Sequence, residues 1–208
     1  MTPLTHEQLV AIDPAFGPVV AITGPYKAKH RNADGAFGAL VRSIVFQQLA
    51  TGAASTIHGR FRALVDGKVT PEAVLAVPED ALIGAGLSRA KRTSILDLAA
   101  KVADGTVPLH RMSRLDDEVI IERLVQVRGI GRWTAEMFLI FHLGRMDVWP
   151  VDDLGVREGW RLVHGLVERP TAKGLAPEGD RDRPIRSAAA WYCWRAVHID
   201  RERKAMAG

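Results

Sequence analysis

Asp152 and Asp153 stand side by side at the head of an amphipathic stretch, and Asp153 follows Gly131 by twenty-two residues. Gly131 belongs to the segment Leu124–Ala135, LVQVRGIGRWTA. Two chemistries suit these residue types. A carboxylate at a helix start is kept ionised by the helix dipole, and can stabilise positive charge that develops beside it. A glycine-bracketed turn that opens into a helix leaves backbone N–H groups without acceptors; with the dipole they make a phosphate site that needs no particular side chain. Gly129 and Gly131 flank Ile130 between two apolar-periodic stretches, so the spacing predicts helix, tight turn, helix, with the glycines supplying positive φ and close backbone approach. The acid pair also has an ordinary use, as an N-cap followed by a dipole-complementing acid.

The elements that must position these groups read as helices. Thr5 and Gln8 suit a capping box for a first helix ending before Pro14, and Asp34 can start a longer one through Ala50. Further helices are expected over 52–65, 71–77, 78–83 and 88–103, each punctuated by Gly or Pro. Val119, Ile120, Leu124 and Val125 give the first hairpin helix a buried stripe, and Trp133, Met137, Ile140 and Phe141 give the second one a buried face. After a loop over 144–150, helices are expected over 153–167 and 187–204, separated by a Gly-, Pro- and charge-rich loop over 171–184. Strand-like alternation is nearly absent, so the fold class is all-α.

Composition narrows the class of protein. At 208 residues and 47% hydrophobic, the chain can bury a substantial core. A formal net charge of +4 permits a nucleic-acid partner. Basic residues gather at Lys27–Arg31, Arg89–Arg92, Arg128–Arg132 and Arg181–Arg186. Cys193 is the single cysteine, which excludes an internal disulfide and suits a reducing compartment. No run approaches the ~18 apolar residues a membrane span needs, and residues 1–17 lack the order of a secretory signal, so a cytoplasmic protein without membrane attachment is expected. His58, His142, His164 and His198 are scattered through helices, and no spacing suggests zinc.

The pattern of Leu124, Gly129, Ile130, Gly131, Thr134 and Ala135, followed by Asp153, resembles the helix-hairpin-helix DNA glycosylase superfamily. The stretches SIVFQQLATGAAS, LIGAGLSRAKRTSILDLA and PIRSAAAWYCWR extend the likeness over roughly residues 40–195 and are similar to the 3-methyladenine DNA glycosylase II (AlkA-type) family. The resemblance implies two helical lobes with a cleft between them: one of about 33–147 carrying the hairpin at 117–143, the other of about 1–32 plus 148–208. It also implies that the N-terminal β-domain of the longer bacterial members has no counterpart here. The lone cysteine departs from the four-cysteine iron–sulfur cluster of other branches.

The same resemblance assigns roles. Asp153 becomes the catalytic carboxylate and Asp152 the helix cap. Trp133 takes the place where bifunctional members carry a nucleophilic lysine, and Trp133, Met137 and Trp194 line the pocket for a flipped base. Met137 departs from the tyrosine of the best-known branch. Gly129, Ile130, Gly131, Arg132 and Thr134 hold DNA; Gln48, or Leu49 beside it, fills the gap left by the flipped base; and Arg186 meets a phosphate or anchors its loop. The backbone carbonyls of Val125, Val127 and Ile130 hold a structural Na+ or K+, with no other cofactor required. The implied activity is a monofunctional glycosylase, acting as a monomer on alkylated purines in double-stranded DNA. Two alternatives remain: a non-catalytic hairpin module in which both acids only cap a helix, and a glycosylase for other damaged bases.

Overall fold

The computed structural model describes residues 5–27 and 32–207, and among these all regular structure is helical. The first seven α-helices are α1 Thr5–Ile12, α2 Gly17–Thr23, α3 Gly35–Phe46, α4 Thr51–Leu64, α5 Pro71–Leu75, α6 Glu79–Gly84 and α7 Arg89–Ala103. The hairpin helices follow as α8 Asp117–Leu124 and α9 Arg132–Met137, the latter running on into a π-helical turn, Phe138–Leu143. The chain ends with α10 Leu154–Val163, α11 Ala172–Leu175 and α12 Arg186–Ala207. Beyond Lys27, the basic cluster expected over 27–31 lies outside the described residues.

The chain divides into two compact units, residues 30–143 and residues 1–29 with 144–208. In the first, α3 buries Phe37, Leu40, Val41 and Ile44, the i, i+3, i+4, i+7 stripe of a core-facing helix, against α4 and α7. In the second, α10 lies along α12. Gly159 permits that closeness, because a Cβ there would collide with the Cys193 carbonyl. Trp160 fills the centre of this unit, edge-on to Phe16 and Trp149 and stacked on His164 at 3.9 Å between ring centroids. Gly144–Asp147 belong to this unit, not to the hairpin's: the Asp147 carboxylate accepts from Arg186 at 2.6 Å and Arg183 at 2.7 Å, and Ser187 N–H donates to the Met146 carbonyl. Arg186 is thereby an anchor of its own loop.

Several helices differ from the sequence expectation for local reasons. The helix expected to run from Asp34 through Ala50 stops at Phe46, because Gln47 is extended at ψ 132° and Gln48 turns left-handed at φ 56°. The one expected over 153–167 ends at Val163. There Gly165 takes φ 62° and Leu166 N–H donates back to the Arg161 carbonyl, a Schellman closure. The loop expected over 171–184 contains α11, capped by Thr171, and a short 3-10 turn over Pro177–Asp182. Both hairpin stripes also shift. Ile120 and Leu124 are buried as expected, but Val119 and Val125 are exposed, and Ile121 and Val127 complete the buried stripe in their place. On α9 and its π turn the core face is Thr134, Ala135, Phe138, Leu139 and Ile140, whereas Trp133 is 46% exposed and Met137 and Phe141 are half-buried.

Candidate active site

The hairpin between α8 and α9 is a backbone device held by side chains from other helices. Gly129 sits at φ 78°, a conformation natural only to glycine, and a Cβ there would run into Ser94 Oγ on α7. Gly131 differs from the expectation: it is extended, at φ −95°, and a Cβ would meet nothing within 4 Å. Only one of the two glycines is therefore demanded by conformation, and the other leaves open ground before the first N–H groups of α9. Ile130 is buried and anchors the turn from beneath. Gln47 Nε2 donates to the Gly129 carbonyl at 3.0 Å and to Thr134 Oγ1 at 3.5 Å. Thr134, only 5% exposed, thus packs the hairpin from inside and presents no outer surface.

A carboxylate on α7 completes the brace. Asp97 Oδ2 accepts the Arg128 N–H at 2.7 Å, and Lys101 Nζ binds both Asp97 oxygens at 2.7 and 2.6 Å. Partial burial pushes the Asp97 acid up, but the bonds from Lys101 and the Arg128 N–H outweigh it and hold the group below the usual carboxylate range. Arg132 is engaged as well, bidentate on Glu118 at 2.6 and 3.0 Å and bonded to Glu136 at 3.1 Å. Its guanidinium is thus engaged with two carboxylates, one at the start of α8 and one on α9 itself. Val125, Val127 and Ile130 line one open recess of about 660 Å³ with Asp97 and Lys101, and the Val127 carbonyl already accepts the Ile130 N–H.

In the other unit, Asp153 starts α10. Its Oδ1 accepts the Val156 N–H at 2.7 Å, which makes Asp153 itself the N-cap. Asp152, expected to cap, is exposed in the preceding turn, where Asp153 N–H closes on the Pro150 carbonyl at 3.0 Å. Capping and the proposed chemistry fall on one side chain. A second donor reaches the same oxygen from α12: Trp194 Nε1 at 2.9 Å. Asp153 is 9% exposed, so its carboxylate is sheltered from water while its charge is met by a helix N-terminus and an indole N–H.

Residues 41–179 match the family described as the HhH-GPD superfamily of base excision DNA repair proteins. The chain belongs to this family. It is 35% identical over 205 residues to "DNA-3-methyladenine glycosylase 1" of Schizosaccharomyces pombe, covering 96% of this chain and 90% of that one. Among solved structures, the DNA-3-methyladenine glycosidase of Bacillus halodurans superposes with a TM-score of 0.87 at 34% identity, covering 97% of this chain and 92% of that one. The 3-methyladenine DNA glycosylase of S. pombe in complex with abasic DNA gives 0.81 at 34% identity, covering 92% and 95%.

The remaining site residues of this HhH-GPD protein fall in different settings. Met137 lines a recess of about 760 Å³ within the hairpin unit, together with Phe138, Phe141, Arg42, His58 and Arg62. Burial first, then the charges of Arg42 and Arg62, hold the His58 imidazole below its ordinary value, so it is the neutral ring that faces this recess. Gln48 and Leu49 sit exposed on the turn between α3 and α4. The left-handed φ of Gln48 costs about 1 kcal/mol or more, the kind of backbone strain that gathers at functional sites. Sequence reasoning missed Ser94, Asp97 and Gly155, and missed Gln47 as a brace. Ser94, Asp97 and Gln47 act over 31 residues or more, across which no local pattern exists; Gly155 was legible only as a small residue in the first turn of α10.

Proposed function

We propose that this chain is a monofunctional DNA glycosylase that hydrolyses the N-glycosidic bond of alkylated purines, such as 3-methyladenine, in duplex DNA and leaves an abasic site. The observation that carries the reading is the Asp153 carboxylate, sheltered and fixed by two donors at the start of α10 in a member of a base excision repair family. Breaking the bond between deoxyribose and base builds positive charge on the sugar. An ionised Asp153 stabilises that charge and orients the attacking water. The exposed Trp133 indole supplies a face for a flipped base, and a base alkylated on a ring nitrogen is cationic, which an aromatic face attracts by ~0.5–2 kcal/mol. Met137 lines the pocket, and Gln48, with Leu49 beside it, fills the vacated stack. The hairpin backbone from Gly129 to Arg132 holds a phosphate, and the backbone carbonyls of Val125, Val127 and Ile130, three residues that line one recess, would hold a single Na+ or K+ that rigidifies the turn. The protein acts as a monomer.

An indole cannot condense with the sugar aldehyde, so Trp133 gives no route to strand cleavage. The test is base release from methylated duplex DNA, with borohydride present in a parallel reaction. Asp153→Asn abolishes release while DNA affinity persists, Asp152→Asn retains it within about twofold because that residue neither caps nor accepts a bond from α12, and no covalent adduct is trapped. Activity surviving in Asp153→Asn, or an adduct forming at the rate of base release, overturns the reading.

A further inference from the structure

Two glycines one helical turn apart on α10, Gly155 and Gly159, face α12 at consecutive residues of that helix. A Cβ on Gly155 would lie 2.8 Å from Trp194 Cδ1, 3.1 Å from its Nε1 and 3.0 Å from Asp153 Oδ1. A Cβ on Gly159 would strike the backbone of Cys193. Residues four apart lie on one helix face, so the pair forms a bare strip along which α12 comes close. That closeness is what allows an indole forty-one residues away in sequence to reach Asp153 Oδ1 at 2.9 Å.

The cap bond alone does not need this arrangement. The Val156 N–H donates to Oδ1 from inside α10, and a capping aspartate held only there keeps rotational freedom about its carboxylate plane. The second donor comes from a different helix and meets the same oxygen. Two donors on one oxygen, from two directions, fix the plane of the carboxylate and hence the direction in which the other oxygen points. We infer that Trp194 is a positioning residue for the reaction, its Nε1–H orienting the Asp153 carboxylate, and that Gly155 and Gly159 are the small residues that bring it within reach. This assigns Trp194 a task apart from offering a face to a base, and it rests on the reading of Asp153 as the catalytic carboxylate.

The inference separates rate from binding. Trp194→Phe keeps an aromatic ring over Gly155 but removes one ring of the indole along with the donor, whereas benzothienylalanine at position 194 keeps the bicyclic shape with sulfur in place of the N–H and so isolates the donor. In single-turnover release of alkylated base from methylated duplex DNA, both substitutions are expected to slow the chemical step by about ten- to hundredfold, the worth of one hydrogen bond to a charged group. Affinity for a duplex carrying an uncleavable abasic-site analogue stays within about twofold of the parent, because phosphate contacts lie elsewhere. Gly155→Ala, whose methyl crowds both the indole and Asp153 Oδ1, disturbs the bonded pair itself and gives at least the same rate loss with the ring chemistry intact. A benzothienylalanine protein with the full parental rate sinks the inference, as does a Trp194→Phe protein that loses affinity and keeps its rate. Activity persisting in Asp153→Asn would instead overturn the assignment of the carboxylate, so the two failures are told apart by one additional variant.

Discussion

The hairpin and the corner around Asp153 solve opposite problems. At the hairpin the groups proposed to meet a ligand are backbone N–H groups and carbonyls, and side chains from the turn after α3 and from α7 hold that backbone in shape: Gln47 on the Gly129 carbonyl, Asp97 on the Arg128 N–H, Ser94 beneath Gly129. At Asp153 the group offered is a side chain, and it is held by a backbone N–H and an indole. A site made of backbone tolerates changes of side-chain type but not an added Cβ where φ is positive. A site made of one carboxylate tolerates nothing at the carboxylate itself, and depends on small residues nearby that let its partner approach.

The largest effect that would break this contrast is expected at Gly129. Gly129→Val meets Ser94 and forces a β-branched residue to φ 78°, so it weakens binding to damaged and undamaged duplexes alike by more than about tenfold. Gly131→Ala supplies the control. Its Cβ meets nothing in the free protein, so the melting temperature stays put while DNA affinity falls wherever a phosphate approaches that ground. If titration of a fluorescent duplex found Gly129→Val selective for one lesion, or Gly131→Ala as unstable as Gly129→Val, the division of labour between backbone and side chain would be lost.

Gly159→Ala probes the other region with a smaller effect. The added methyl strikes the Cys193 backbone, which cannot swing away as a flexible side chain does, and overpacking of this kind costs about 3 kcal/mol. Urea unfolding measures the loss, and an unchanged midpoint would show that α10 and α12 can part without penalty.

Asp182 sharpens the comparison within the same unit, because it is a buried acid without the support that Asp153 enjoys. It is 0% exposed, and neither carboxylate oxygen has a hydrogen-bond partner. Burial, and then the neighbouring charge of Asp13, push it up to about 6. The folded state therefore binds this proton more tightly than the unfolded chain, whose carboxylate titrates near its ordinary value of 3.8, and stability falls as the pH rises from about 4 through 6. Asp182→Asn is expected to add about 1–2 kcal/mol at pH 7.5 and nothing at pH 4. Urea midpoints at the two pH values check the sign, and a gain that is equal at both would mean that charge burial is not the cause.

How much of this was legible in the sequence varies with distance along the chain. The hairpin could be read because its signals are local: two glycines around an isoleucine, between apolar repeats. Asp153 could be located by its offset from the hairpin, but the cap is then expected at Asp152, one residue too early, since either aspartate can cap a helix. The choice was made by the turn that closes Asp153 N–H on the Pro150 carbonyl and so sets where α10 begins. The apolar face of α9 was misread for a related reason. Trp133, Met137 and Phe141 repeat at helical spacing like a core stripe, but Thr134, Ala135 and Phe138 on the adjoining face are the ones buried. An apolar row serves equally to fill a core or to line a recess. Periodicity measures spacing, and only packing decides which side is inside.

The sequence by itself determined the all-α class, the hairpin turn around Ile130, the presence of a carboxylate at the head of α10 and the absence of a lysine at Trp133, because each depends on residue type and on neighbours within a turn or two. Tertiary structure alone decided that Asp153 is both cap and sheltered acid, that Trp194 donates to it across forty-one residues, and that Gln47 reaches Gly129 across eighty-two. Those contacts arise where helices distant in sequence come within a hydrogen bond of each other, and that distance is set by how closely their backbones pack.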